Sequence, residues 1–305
     1  MTILVVGGSG FIGTHIVSYL CGMGHRVVSY SPSIPGPSQR LDGCHYVEGD
    51  VTELGTLCQI MKEFRVTKVF HNAGISHPKL YPDNPYKIYR VNVTGTLTVL
   101  EAARLNHVEK FVHMSSAGVY GNTSAELVGE EERLHGEHPY GASKVACEEI
   151  VRNYGIPSVS LRASFVYGPG RQMDCPIRTL LYNAIHGIPT IWNNGSDQRL
   201  DFIYIEDMVR AIGCALLTDN WKYTEYNIGA GKEIRFSTIV GIVKSLYPDC
   251  ILQVGPGDLG YDSLGALKID RAREDFNWKP DIDIEAGIRQ YASWLEKQRE
   301  QEDQA

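Results

Sequence analysis

The stretch Thr2–Leu20, "TILVVGGSGFIGTHIVSYL", decides the fold. A short β-branched run enters a cluster of glycines, and an apolar pattern with helical spacing begins on the far side. A strand that passes into a helix through such a turn leaves backbone N–H groups at the helix start open to a phosphate, with no Cβ in the way. Gly7, Gly10 and Gly13 recur every third residue, and Gly8, Gly10 and Gly13 also satisfy G-x-G-x-x-G. The motif in this strand-to-helix context predicts dinucleotide binding.

The same alternation continues downstream. "HRVVSY", "KVFHNAG", "KFVHMSS" and "SVSLRAS" read as short buried strands, while 14–23, 53–64, 92–106 and the segment from Tyr140 have helical spacing. Continuous apolar strands alternating with helices predict an α/β protein, a Rossmann-like doubly wound parallel sheet. After Phe165 the pattern loosens into "YGPGRQMDCP", "WNNGSDQR" and "VGPGDLGYDSLG". The expected organisation is a cofactor-binding domain over 1–165, with return segments near 200–220, and a smaller C-terminal substrate-binding domain over most of 166–305. The charged tail "EKQREQEDQA" is expected to fray.

Composition excludes several classes. A formal charge of -7 without a Lys/Arg cluster argues against a nucleic-acid partner. No apolar run reaches membrane-spanning length and the first residues lack a signal-peptide pattern, so a soluble cytoplasmic protein is expected. The seven scattered cysteines predict reduced, mostly buried thiols. The ten histidines lack metal spacing, so no metal site is expected, and His135 and His138 read as surface loop.

A dinucleotide site calls for an acidic residue at the end of the second strand, to hold the adenosine ribose. Ser31 stands there instead, and with Arg40 nearby NADP stays open beside NAD. Asp50, next to Val51 after the third strand, suits the adenine edge. In "HPYGASKVACEEIV", Tyr140 and Lys144 lie four residues apart, on one face of a helix. A phenol that is to move protons near neutrality needs its pKa lowered by about 3 units, and a cation within about 4 Å supplies energy of that order. Ser115 and Ser116 close the strand "KFVHMSS", where a hydroxyl can hydrogen-bond the same substrate oxygen as the tyrosine.

Taken with "GGSGFIG", "HNAG", "YRVNVTGTLTVLEAA", "SSAGVYG", "YGASK", "LRASFVYGPG", "RLDFIYIEDMVRA" and "NIGAG", the chain resembles the extended short-chain dehydrogenase/reductases of the NAD-dependent epimerase/dehydratase family over nearly its whole length. The resemblance implies a nucleotide-sugar substrate, such as a UDP-sugar, and a homodimer formed by the helices at 92–106 and 140–154. It implies Ser116 as the catalytic hydroxyl, Tyr140 as acid/base, and Lys144 as the residue that lowers the tyrosine pKa and holds the nicotinamide ribose. By position it puts Gly7, Gly10, Phe11, Ile12, Gly13, Ser31, Asp50, Val51, Asn72, Ala73, Gly74, Asn92, Ser115 and Phe165 along the cofactor. Ser76, Ser116, Phe165, Arg199 and Arg235 fall to the substrate.

Within the family, 4,6-dehydratases carry an Asp-Glu pair directly after the catalytic Ser/Thr, because eliminating water needs a further acid and base. Here those positions are Ala117 and Gly118. The expected activity is therefore epimerisation, at carbon 4, through a transient ketone. The alternative is an NADP-dependent ketoreductase; a cofactor-sensing binding protein is a third class, opposed by the intact Ser116, Tyr140 and Lys144. Two departures bear on the substrate: Phe165 replaces an asparagine of many sugar epimerases, and Leu200 takes the slot of an arginine, leaving Arg199 one residue early as a diphosphate candidate. Arg178 and Arg271 are weaker candidates.

Overall fold

The computed structural model describes residues 1–76, 83–173 and 175–303. Its centre is a seven-stranded sheet: β1 Thr2–Val6, β2 Arg26–Ser31, β3 Cys44–Glu48, β4 Lys68–His71, β5 Lys110–Ser116, β6 Ser158–Ala163 and β7 Glu225–Ile228. Across the sheet they run β3-β2-β1-β4-β5-β6-β7, every pair parallel. The order reverses between β1 and β4, which opens a crevice at the carboxyl edge where ligands of such sheets bind.

β1 shows why its sequence is apolar at every position. Ile3 and Val5 face a core completed by Ile16, Val17 and Leu20 of the helix Phe11–Gly22 and by Ala211 and Ile212 of the helix Ile205–Leu217. Leu4 and Val6 face a second core with Leu57, Ile60, Val99 and Leu100, from the helices Leu54–Glu63 and Gly95–Leu105. Burying both faces removes the period-2 alternation of a half-exposed strand.

β7 is a strand that the sequence reading leaves out; it joins the edge beyond β6 after the chain has passed through its looser half. In that half, Phe165–Tyr167 pairs in parallel with Arg199–Tyr204, which pairs antiparallel with Glu233–Arg235. The helices Pro176–Ile185, Phe236–Leu246 and Ile284–Asp303 pack on one another beside it. The fraying expected of 296–305 is not seen over 296–303, where the last helix runs through Asp303 and Arg299 donates to the Ile185 carbonyl at 2.6 Å; 304–305 lie outside the described residues. The segment expected as one helix over 92–106 begins inside a π-helical turn, Arg90–Thr94, and continues as the helix Gly95–Leu105; a short helix, Pro85–Tyr89, precedes it. Against the expectation of mostly buried thiols, only Cys147 and Cys175 are buried; the other five sit at intermediate depth. Among the described residues no helix is long and apolar enough to cross a membrane, and no group of three or more His, Cys, Asp or Glu could hold a metal ion.

Candidate active site

A cavity of about 580 Å³ lies along the carboxyl edge of the sheet. Gly7 to Ile12 form one wall. Gly7 has φ +87°, and a Cβ there would come within 2.7 Å of the Ala73 nitrogen. Gly10 precedes the helix Phe11–Gly22, with no side-chain cap and no acidic residue in the first turn. At Gly13 a Cβ would lie 2.0 Å from the Gly7 carbonyl oxygen, so this glycine lets the helix press onto the turn from behind and is not on the cavity wall. A bare helix start, with glycines where side chains would fill the cradle, fits the pyrophosphate of a dinucleotide.

Ser31 lies on the wall, but its oxygen accepts the Ser9 N–H at 2.9 Å; it braces the glycine turn. Arg40 is exposed, donates to the Pro35 carbonyl at 3.1 Å and does not line the cavity. Asp50 and Val51 do line it. The N–H and then the hydroxyl of Thr52, both bound to Asp50 Oδ1, hold that carboxyl below its ordinary range. Asn72, Ala73 and Gly74 line the middle of the groove, with Ser76 beyond them.

Ser115, Ser116, Tyr140 and Lys144 meet on the wall between β5 and the helix Pro139–Asn153. Proline at the first helical position fits a helix start, where its missing N–H costs nothing. Gly141 allows the close approach, since a Cβ there would lie 2.5 Å from the Gly118 carbonyl oxygen. A Cβ built at Gly118 itself falls 3.4 Å from Ser116 Oγ and 3.6 Å from the Tyr140 ring, so a side chain at that position would stand beside both.

The electrostatics differ from expectation. Burial pushes the Tyr140 phenol above its ordinary value, opposed by a hydrogen bond with Ser116 and by the charge of Arg171. Lys144 donates to the Met114 carbonyl at 2.7 Å, and burial pulls its own pKa down. In the protein by itself, desolvation of the half-buried phenol thus outweighs the Ser116 hydrogen bond and the Arg171 charge.

Asn92 was expected along the cofactor and stands behind the wall instead. At 1% exposure, its Oδ1 accepts the Ile75 N–H at 2.7 Å, while Nδ2 donates to the Ile75 carbonyl at 3.1 Å and to Ser143 Oγ at 2.8 Å. The π-helical turn that carries it widens the helix there and points to a positional requirement. Asn92 ties the segment after β4 to the helix of Tyr140.

At the far end the cavity is closed by Phe165, Arg171, Leu200, Tyr261, Asp262 and Leu264. Phe165 packs edge-on against Tyr261, centroids 5.4 Å apart, and under the Arg171 guanidinium at 4.5 Å. Arg199 and Arg235 are not on this wall. Arg199 pairs with Glu233 at 3.1 Å and Arg235 with Asp197. Asp201 accepts the N–H groups of Ala230, Gly231 and Leu267, and its burial raises its carboxyl to about 6. Arg178 lies over the Tyr182 ring and Arg271 pairs with Glu130 at 3.5 Å. His138, read as surface loop, precedes the Tyr140 helix on the cavity wall, with Nε2 3.4 Å from Asp262. Its position immediately before Pro-Tyr was the signal for that placement. No local pattern marks Arg171, Tyr261 or Asp262.

A family model described as the NAD dependent epimerase/dehydratase family matches residues 3–229. A putative UDP-glucose 4-epimerase of Methanocaldococcus jannaschii is 31% identical, over 96% of this chain and 98% of its own. A dTDP-glucose 4,6-dehydratase of Shigella flexneri is 28% identical, over 96% and 92%. The crystal structure of a UDP-glucose 4-epimerase of Thermotoga maritima with UDP-glucose superposes with a TM-score of 0.90 at 25% identity, covering 98% of this chain and 100% of that one.

Proposed function

The chain belongs to the NAD dependent epimerase/dehydratase family of enzymes, and we propose that within it this protein is a nucleotide-sugar 4-epimerase acting on a UDP-sugar. The observation that carries the reading is the place of Gly118. Ser116, Tyr140 and Lys144 are gathered on one wall, and the position beside them holds no acid. Elimination of water needs a carboxylate there; interconversion of two carbinols does not.

In this reading the glycine turn and the bare start of the helix Phe11–Gly22 hold the pyrophosphate of NAD, Asp50 meets its adenosine end, and Lys144 its nicotinamide ribose. Bound there, NAD would supply a reversible hydride acceptor for the sugar carbon. Tyr140 takes the proton from the sugar hydroxyl and later gives it back. Ser116 holds the same oxygen through both forms. Phe165, Tyr261 and Leu264 exclude water while the ring turns.

The protein is further proposed to form a homodimer. Leu97, exposed at 39%, lies on the helical segment expected at the interface, and Tyr86 and Tyr89, exposed at 75% and 40%, on the short helix before it. Sedimentation at micromolar concentration tests this; a monomer there removes it.

The function is tested by mass spectrometry of nucleotide retained on freshly purified protein, followed by incubation with UDP-glucose and UDP-galactose. Retained NAD and interconversion without net reduction support the epimerase. A site that binds NADPH and oxidises it stoichiometrically with a keto substrate establishes the reductase instead.

A further inference from the structure

The helix Pro139–Asn153 carries a third polar residue on the face of Tyr140 and Lys144. Glu148 lies one turn beyond the lysine. Its side chain is 0% exposed and its partner, Arg162 of β6, 2%. Nε and Nη2 of Arg162 reach the two carboxylate oxygens at 3.0, 3.2 and 2.7 Å, and Oε1 also accepts the Ser115 hydroxyl at 2.5 Å. The remaining nitrogen, Nη1, donates to the Tyr120 hydroxyl and the Glu130 carbonyl, each at 2.9 Å. Tyr120 in turn donates to Asn227 Oδ1 at 2.7 Å.

Ser115 immediately precedes Ser116, and Tyr120 ends the turn Ala117–Val119 that follows it. The ion pair therefore grips Ser116 from both sides along the chain, while its carboxylate is rooted in the helix of Tyr140 and Lys144. An apolar pair of similar volume stabilises a fold as well as a buried ion pair or better. Only directional bonds hold two elements at a set spacing and register.

We propose that the Glu148–Arg162 pair is a positioning device for the reaction, fixing Ser116 against Tyr140 and standing as the counter-charge to the Lys144 ammonium. It rests on the roles given above to those three residues. Of the other ionisable groups around the ammonium, His71 from β4 and His113 from β5 are held neutral by burial and Tyr140 is raised by it, which leaves Cys147, a thiol that burial itself raises, and the carboxylate of Glu148. Burial disfavours the charge on Lys144, with Cys147 and Glu148 opposing it. Tyr120 and Glu130 stand around Arg162, Arg271 pairs with Glu130, and the charge of Arg171 acts on Tyr140.

The test is a titration of Lys144 by NMR in protein labelled with ¹³C-lysine, the resonance assigned with Lys144→Arg. In Glu148→Gln its midpoint falls by about one pH unit or more, and the alkaline limb of kcat moves down with it. KM for UDP-glucose changes less than about twofold. Glu148→Leu/Arg162→Met, with an apolar pair in place of the ions, keeps the fold and loses about tenfold or more in kcat. An unchanged Lys144 midpoint in Glu148→Gln, or wild-type kcat in the double variant, overturns the proposal. The double variant carries the same titration, so poor folding of Glu148→Gln leaves the test intact. The titration requires no turnover, so a wild-type protein inactive on nucleotide sugars counts against the epimerase reading alone.

Discussion

At the cofactor end of the cavity the wall is mostly backbone, whereas at the substrate end it is side chains drawn from separate parts of the chain. Gly7, Gly10, Ala73 and Gly74 sit at the ends of β1 and β4, placed by the sheet itself. Phe165, Arg171, Leu200, Tyr261 and Asp262 come from three distant segments and meet only through tertiary packing. A backbone-built site tolerates little change in its glycines. A side-chain-built site can change specificity one residue at a time.

The comparison breaks most severely at the junction of the two ends. Tyr140→Phe removes the only group given the proton and should lower kcat by about 10² to 10⁴-fold, while NAD is still retained; both are read from steady-state kinetics and from the nucleotide content of the purified variant. A variant that keeps its activity removes Tyr140 as acid/base. Next in size is Gly13→Ala, whose Cβ would lie 2.0 Å from the Gly7 carbonyl oxygen. Overpacking of this kind costs about 1–3 kcal/mol, visible as a lower Tm and as loss of retained nucleotide. Unchanged nucleotide retention would sink the close-packing account of the turn.

A third effect comes from under the sheet. Burial, with the Lys144 charge, holds His71 down to about 3 and His113 well below its ordinary value. Both are therefore neutral when folded, and below about pH 6.5 the unfolded chain binds more protons at these positions. Their stability contribution, complete above that pH, is lost as pH falls toward the folded values, at up to about 1.4 kcal/mol per pH unit per site. Asp201, raised to about 6, acts in the opposite direction at acid pH. The histidines are accordingly read from the difference between wild type and His113→Asn in denaturant midpoints from pH 7 to pH 5. Equal slopes would contradict the burial argument. The smallest effect belongs to Arg199→Ala: Arg199 is 57% exposed, paired with Glu233 and away from the cavity. Its loss should move stability by less than about 0.5 kcal/mol and leave KM for UDP-glucose within about twofold; a tenfold rise in KM would return it to the diphosphate.

What was legible in the sequence follows the same division. The strand-turn-helix at Thr2–Leu20 and the parallel sheet could be read because their patterns are local and periodic. β7 could not, because "EYNI" is short and enters the sheet from the other half of the chain. Tyr140, Lys144 and Ser116 were found by spacing and by their position at strand and helix ends. Asn92, expected along the cofactor, is bound to Ile75 and Ser143 and stands behind the wall, a placement its motif does not reveal. Arg199 and Arg235 were misread because a strand's register decides which way a side chain turns: the two are register partners in one antiparallel pair, and each is engaged by a carboxylate. His138 is the exposed loop residue that the sequence suggests, and what no local pattern reveals is Asp262, 3.4 Å from its Nε2.

The central claim is that a hydrogen leaves the sugar carbon and returns to the same carbon within one bound complex. The most direct measurement is the fate of deuterium placed at carbon 4 of UDP-glucose, followed by NMR and mass spectrometry of the product in ordinary water. The account predicts UDP-galactose that retains the deuterium at carbon 4, with no reduced cofactor accumulating. Epimerised product that has lost the label, or stoichiometric accumulation of reduced cofactor with a released keto sugar, would contradict it.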